Sequence, residues 1–257
     1  MVERLSNDIP DTPATFTTRD GASIAYHALA GKSPGIVFFH GFRSDMGGDK
    51  AMAAEALARA RGHAFLRFDA FGHGRSSGHY TQGTIGRWAA HAVEILDQLT
   101  TGPQILVGSS YGGWIALLAA MARPQRVHAL VGLAAAPDFT QDMMEREFTD
   151  AQRRALEETG QVVIPNCYMP DDPWIIPKHL IDEARDHLVL NGPIPLVCPV
   201  RLVHGQRDED VPWQTSIRTG QAIIGDDVQI ILIKDGGHRL SRPQDLARIS
   251  QIISELL

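Results

Sequence analysis

Short apolar runs recur along this chain, at residues 36–39, 64–68, 105–107, 127–133, 200–203 and 228–233. Between most of them the apolar positions return at helical spacing. Both-sided apolar runs of this length predict strands buried on two faces, and the intervening periodicity predicts helices over 50–61, 84–99, 112–122, 213–224 and 242–256. Residues 14–29 read differently, as a hairpin turning at Asp20-Gly21 between 15–18 and 23–26. Strand and helix then alternate, which predicts an α/β fold: a mainly parallel central sheet with helices on both faces.

One interval breaks the rhythm. Residues 138–196 separate two strands by far more than a crossover helix needs, and they carry helical patterns over 141–158 and 177–189. Met143, Met144, Phe148, Trp174, Ile175 and Ile176 would be costly to leave in water. The interval is therefore expected to be a helical cap over a site, within a single domain spanning 1–257; a structural excursion without a binding role is the alternative.

Composition narrows the setting. The chain has 257 residues, 44% of them hydrophobic, enough for a sizeable core, and its formal net charge of -6 gives no general reason to bind nucleic acid or an anionic membrane. Two cysteines, Cys167 and Cys198, are too few for a disulfide framework and lack zinc-ligand spacing. No run of about 20 apolar residues predicts a membrane span. The first twelve residues match neither a signal peptide nor a transit peptide, so the expected compartment is cytoplasmic.

In a parallel α/β sheet, ligands sit beyond the carboxyl ends of the strands, so the residues after each apolar run are the ones to inspect. After 104–107 comes Gly108-Ser109-Ser110-Tyr111-Gly112, a G-x-S-x-G turn leading directly into a buried helix. Such a turn exposes its serine hydroxyl at the head of the helix, which makes Ser110 the candidate nucleophile. A glycine-rich turn that merely packs tightly is the plainer reading of the motif taken alone.

The other strand ends supply partners. His40-Gly41-Phe42 follows the run 36–39, where the Phe42 N–H, together with that of Tyr111, is placed to form an oxyanion hole; the His40 side chain is expected only to brace the turn. His204-Gly205-Gln206-Arg207-Asp208-Glu209-Asp210-Val211-Pro212 follows 200–203, with Asp208 the preferred acid for its spacing between His-Gly and Val-Pro, and Asp210 the second choice. Lys234-Asp235-Gly236-Gly237-His238 follows 228–233, and its glycines free the loop to carry His238 toward Ser110. Of eleven histidines, His238 alone completes the order Ser, Asp, His with each member at a strand end, as a general base oriented by a carboxylate.

With Asp69-Ala70-Phe71-Gly72-His73-Gly74-Arg75-Ser76 after 64–68, where the Gly72 to Gly78 loop is expected to be structural, these motifs together resemble the α/β-hydrolase superfamily over residues 33–257. Closer similarity, in Ser33 to Val37, Pro103 to Ser110, Gly112-Gly113-Trp114, Ala122-Arg123-Pro124 and His204-Gly205 with Val211-Pro212-Trp213, is to the mitochondrial acyl-protein thioesterase and acyl-glucuronide esterase branch. The resemblance implies a Ser110, Asp208, His238 triad that hydrolyses acyl thioesters or carboxylic esters through an acyl-enzyme. It implies no metal and no organic cofactor.

A serine at the elbow argues against haloalkane dehalogenase and epoxide hydrolase chemistry, which need a carboxylate nucleophile. The expected substrate is a small-molecule acyl ester or thioester, with S-acylated protein as a further candidate. Amide, peptide or carbon–carbon bond cleavage by the same triad is the alternative, and a non-catalytic binding protein the third reading. Trp114, Met143, Met144, Trp174 and Trp213 are the candidates to line an acyl pocket.

Overall fold

The computed structural model describes residues 12–166 and 171–257. Cys167 and the polar stretch 1–11 lie outside them. Ten strands are found: β1 (Ala14–Thr17), β2 (Ser23–Leu29), β3 (Lys32–Phe39), β4 (His63–Phe68), β5 (Gln104–Ser109), β6 (Val127–Leu133), β7 (Gln161–Ile164), β8 (Trp174–Pro177), β9 (Val200–Gly205) and β10 (Val228–Ile233). The helices are α1 (Asp49–Arg61), α2 (Ile85–Leu99), α3 (Tyr111–Ala122), α4 (Phe139–Asp142), α5 (Asp150–Thr159), α6 (Lys178–Ala184), α7 (Gln214–Ala222) and α8 (Pro243–Ser254).

Eight strands form one sheet in the order β1-β2-β4-β3-β5-β6-β9-β10. From β4 to β10 all neighbours are parallel, whereas β1 and β2 pair antiparallel and β2 joins β4 antiparallel. The expected hairpin and parallel sheet are both present. Alternate residues feed two cores: Val37, Phe39, Leu106, Leu130 and Leu202 point to one face, and Ile36, Phe38, Ile105, Val107, Val131 and Val203 to the other. Helices α1 and α8 pack together on the second face, α2 and α3 on the first.

The interval after β6 departs from expectation in detail. The long helix expected over 141–158 is broken: α4 runs into a π-helical turn at Met143–Glu147, and α5 restarts after Thr149. Phe148, buried and in extended conformation, stands at the break. Thr149 then caps α5, its hydroxyl accepting the Gln152 N–H while the Gln152 amide oxygen accepts the Thr149 N–H. The antiparallel pair β7 and β8, not expected from the sequence, turns the chain back.

Candidate active site

The geometry of the serine elbow is set by steric necessity. Ser110 itself takes the positive φ, at φ 54° and ψ −125°, a strained conformation costing about 1–3 kcal/mol. The flanking glycines are needed for close approach. A Cβ at Gly108 would lie 2.5 Å from the Gly112 carbonyl oxygen, and one at Gly112 would lie 2.3 Å from that of His40. The backbone around Ser110 is also clamped, its N–H donating to Leu133 O at 3.0 Å and its carbonyl accepting from Ala136 N at 3.0 Å.

Ser110, His238 and Asp208 meet across three loops. His238 Nε2 lies 3.1 Å from Ser110 Oγ, and His238 Nδ1 lies 2.8 Å from Asp208 Oδ2. Two backbone bonds hold the acid and histidine loops in register: Gln206 N–H donates to Ile233 O at 2.9 Å and Arg207 N–H to Gly236 O at 2.8 Å. Gly205 permits this approach, since a Cβ there would lie 2.3 Å from Gly236 O. The structure thus brings Asp208, the first choice from sequence, into hydrogen bonding with His238. Asp210 lines the cavity beside it.

Burial by itself would raise the Asp208 carboxyl, but hydrogen bonds from His204 and His238, the His238 charge and the Val211 N–H outweigh it and hold the group well below the usual carboxylate range. Its Oδ1 accepts from the N–H groups of Asp210 at 2.9 Å and Val211 at 2.8 Å. Its Oδ2 is 3.0 Å from His204 Nε2. Sequence reasoning missed His204 as a partner of the acid; the signal was its place in the strand-end His-Gly, four residues before Asp208.

Gly41 packs against Ser110, a Cβ there falling 3.6 Å from Ser110 Cβ. The next N–H, that of Phe42, and the first of α3, that of Tyr111, have no protein acceptor among the described residues. His40 braces this loop as expected: Nε2 accepts the Ala70 N–H at 2.9 Å, and Nδ1 donates to Gly41 O at 2.7 Å. Burial lowers the His40 imidazole below the ordinary value. Beneath it His73 stacks on Tyr111, with ring centroids 5.8 Å apart. Burial, reinforced by the charge of His40, lowers His73 to about 3. Asp69 completes the support, accepting the N–H groups of Met46 and Arg75 at 2.7 Å each.

These groups open onto a cavity of about 840 Å³, within the range of small-molecule sites. Phe42, Met143, Ile164, Trp174 and Ile176 supply apolar walls, while Arg43, Lys50, Glu147 and Arg239 supply charge that sequence reasoning did not foresee. Burial, with the charge of Arg239, lowers the Lys50 ammonium to about 8. Burial raises the Glu147 carboxyl, and Asp142 and Asp210 add to the effect. The Phe42 ring touches the rings of both Phe139 and Trp174, at centroid distances of 6.2 Å, and so joins the nucleophile's loop to the excursion.

Of the five pocket candidates, Met143 and Trp174 line the cavity and three do not. Trp114 is fully buried, its Nε1 donating to His187 O at 3.1 Å, because α3 is enclosed on all sides and turns this residue inward. Met144 packs against the core. Trp213 stands half-buried just before α7, outside the cavity wall.

This is the architecture of a serine-elbow hydrolase, and the chain belongs to the alpha/beta hydrolase fold family, whose profile matches residues 34–169. It is 43% identical to the mouse palmitoyl-protein thioesterase ABHD10, mitochondrial, over 91% of this chain and 79% of that relative. It is 40% identical to the human protein of the same name, over 96% of this chain and 80% of that one. The solved structure of mouse alpha/beta hydrolase domain-containing protein 10 superposes with a TM-score of 0.89 at 40% identity, covering 95% of this chain and 98% of that chain. A putative hydrolase from Agrobacterium vitis S4 gives a TM-score of 0.91 at 37% identity, covering 97% and 99%. The thioesterase branch suggested by the sequence motifs is the one found, and the protein is a hydrolase.

The cytoplasmic expectation is overturned: these relatives are named as mitochondrial. They also extend beyond the matched stretch, so the composition of residues 1–12 was no guide to compartment. No helix among the described residues is long and apolar enough to cross a membrane.

Proposed function

We propose that this hydrolase cleaves acyl thioesters, with S-acylated cysteine as the substrate class and activated carboxylic esters as secondary substrates, through a triad of Ser110, His238 and Asp208. The observation that carries this reading is the continuous hydrogen-bonded chain from Ser110 Oγ through His238 to Asp208, facing a cavity with apolar walls at Met143, Ile164, Trp174 and Ile176. The relatives named as palmitoyl-protein thioesterases supply the substrate class.

In the first half-reaction Ser110 Oγ attacks the acyl carbonyl as His238 Nε2 takes its proton. The developing oxyanion accepts hydrogen bonds from the Phe42 and Tyr111 N–H groups. Fixed main-chain donors of this kind are worth about 3 kcal/mol each in the transition state. The carbon–sulfur bond then breaks, the proton on His238 passes to the departing thiolate, and an acyl-Ser110 ester remains. In the second half-reaction His238 removes a proton from water, hydroxide adds to the acyl carbon, and Ser110 leaves with that proton as the carboxylic acid is released. Asp208 stays ionised throughout and holds the Nδ1–H tautomer of His238. The 138–196 stretch acts as the cap of a single unit, with Met143 and Trp174 against the acyl chain.

The test is steady-state hydrolysis of acyl thioesters and p-nitrophenyl esters from acetyl to palmitoyl by wild type and Ser110→Ala. The expected result is a thioester preference, an optimum at chains longer than acetyl, and a loss of about 10⁴-fold or more in kcat in the variant. Faster turnover of amides than of thioesters would overturn the substrate class, and retained activity in Ser110→Ala would overturn the nucleophile.

A further inference from the structure

Asp208 serves two histidines. Its Oδ2 faces His238 Nδ1 at 2.8 Å and His204 Nε2 at 3.0 Å. The second histidine comes from the end of β9, is fully buried, and touches neither Ser110 nor the cavity wall. Its Nε2 is equally 3.0 Å from the carbonyl oxygen of Val211. A carboxylate at this low folded value and a backbone carbonyl are both acceptors only, so the nitrogen between them carries a hydrogen. The other ring nitrogen, Nδ1, lies 2.7 Å from Ser216 Oγ on α7. That hydroxyl, which can donate or accept, anchors the far side of the ring.

We infer that His204 is a positioning residue: its Nε2–H, held between Asp208 and the Val211 carbonyl with the ring anchored by Ser216, fixes the Asp208 carboxylate and tempers its charge toward His238. This rests on the triad proposed above.

The arrangement answers a geometric need. The two backbone donors at Oδ1 hold only one oxygen of the carboxylate, and rotation about its Cβ–Cγ bond would carry Oδ2 off the His238 ring. A buried donor on Oδ2, opposite His238, removes that freedom. Because both Asp208 and His204 have side chains with no solvent exposure, the bond acts in a low-dielectric setting where it is not replaced by water. Sharing Oδ2 has an electrostatic effect as well. Each donor on the carboxylate reduces the charge felt by the imidazolium that forms on His238, and so keeps that ring able to release its proton to the leaving group.

The other groups bearing on this cluster are few. Asp210 approaches within 4.8 Å of the ligand atoms of Asp208 and His238. Lys50 on α1 feels the charges of Asp208, of Asp245 on α8 and of Arg239, and Glu147 faces Asp210 from the excursion. None is bonded to His204, so a His204 substitution leaves these interactions in place.

The test compares His204→Leu, His204→Gln and Ser216→Ala with wild type, using one acyl thioester across a pH series, with Ser110→Ala as a control. Leucine removes the donor at similar volume, whereas glutamine can return an Nε2–H donor. Expected for His204→Leu is a fall of about tenfold in kcat with KM little changed. With its carboxylate less tempered, Asp208 stabilises the His238 imidazolium more, so the acid limb of kcat/KM moves to higher pH by about 0.5–1 unit. His204→Gln should restore most of both. Ser216→Ala, which removes the anchor at Nδ1 while leaving the ring, should loosen the Nε2–H on Asp208 and shift the same limb in the same direction by less, and it serves as the readout if His204→Leu does not fold. An unmoved acid limb in the folded variants, with any loss of kcat matching a loss of folded protein in thermal melts, would overturn the inference. Activity retained in Ser110→Ala would instead overturn the triad beneath it.

Discussion

The cavity has one wall made of strand-end loops and another made of the excursion between β6 and β9, and the two walls are held by different forces. In the loops, backbone meets backbone: Gly108 and Gly112 press on their neighbours, Gly205 abuts Gly236, and Ser110 hangs between Leu133 and Ala136. The excursion is held by side chains instead: Met143, Phe148, Ile176 and Leu180 join the apolar core, and scattered polar groups tie it down. Buried Asp138 accepts the N–H groups of Val189 and Leu190, Trp114 reaches His187 O, Arg43 pairs with Asp172, and the Tyr80 hydroxyl accepts the Ile175 N–H. A backbone contact cannot be adjusted by substitution without moving the chain, whereas a side-chain tie can be traded for another. Placement of Ser110, His238 and Asp208 is therefore rigid by construction, and the shape of the cavity wall formed by the excursion is not.

The most severe way to probe this contrast is Gly112→Ala. Its Cβ would meet the carbonyl oxygens of His40 and Phe39 at 2.3 and 2.5 Å, so stability in urea should fall by about 3 kcal/mol or more, with activity lost toward every chain length alike. Tolerance of alanine there, with full activity, would break the distinction between the walls.

A second probe uses acid. His40 and His73 lie buried under the nucleophile's loop with values held below the ordinary one, His73 at about 3. Such a group binds fewer protons folded than unfolded. Its contribution is therefore intact above about pH 6.5 and is lost as pH falls from there, for His73 down to about 3. The slope is at most about 1.4 kcal/mol per pH unit for each histidine. Urea unfolding between pH 7.5 and 4.5 should show the decline, and His73→Phe, which keeps the ring on Tyr111, should flatten it. Equal slopes in both proteins would remove His73 from the account.

The mildest probe touches the excursion alone. Trp174→Ala should lower kcat/KM for a long-chain thioester by about tenfold, since a fully buried aromatic contributes on the order of 1.5 kcal/mol or more, and should leave the acetyl substrate little changed. Equal losses on both substrates would mean that the tryptophan supports the elbow, through Phe42, rather than the acyl chain.

The same contrast explains what could be read from the sequence. Inner strands of the parallel sheet are buried on both faces and even the partly buried edge strand β10 is apolar, so they appear as apolar runs, and Ser110, Asp208 and His238 follow because each stands just past such a run. The excursion has no comparable signal. Its strands β7 and β8 are four residues each, too short for a period to register, and the break at Phe148 depends on what that ring packs against. Trp114 illustrates the limit on the rigid side: α3 is apolar on every face, so periodicity could not say whether its tryptophan looks toward core or cavity. His204 was hidden for a related reason, since its meaning lies in contacts with Asp208, Val211 and Ser216 that only the fold brings together.

The excursion leaves the sheet after β6 and the chain returns to it at β9, the very next strand. It is inserted between the strand that steadies Ser110 and the strand that carries Asp208, yet no strand of the sheet depends on its length. Loop-closure cost grows only with the logarithm of length, so residues can be gained or lost here at small energetic penalty. Descendants of this fold can thus exchange one substrate for another by rewriting a single contiguous stretch of gene, while the machinery that breaks the bond is inherited untouched.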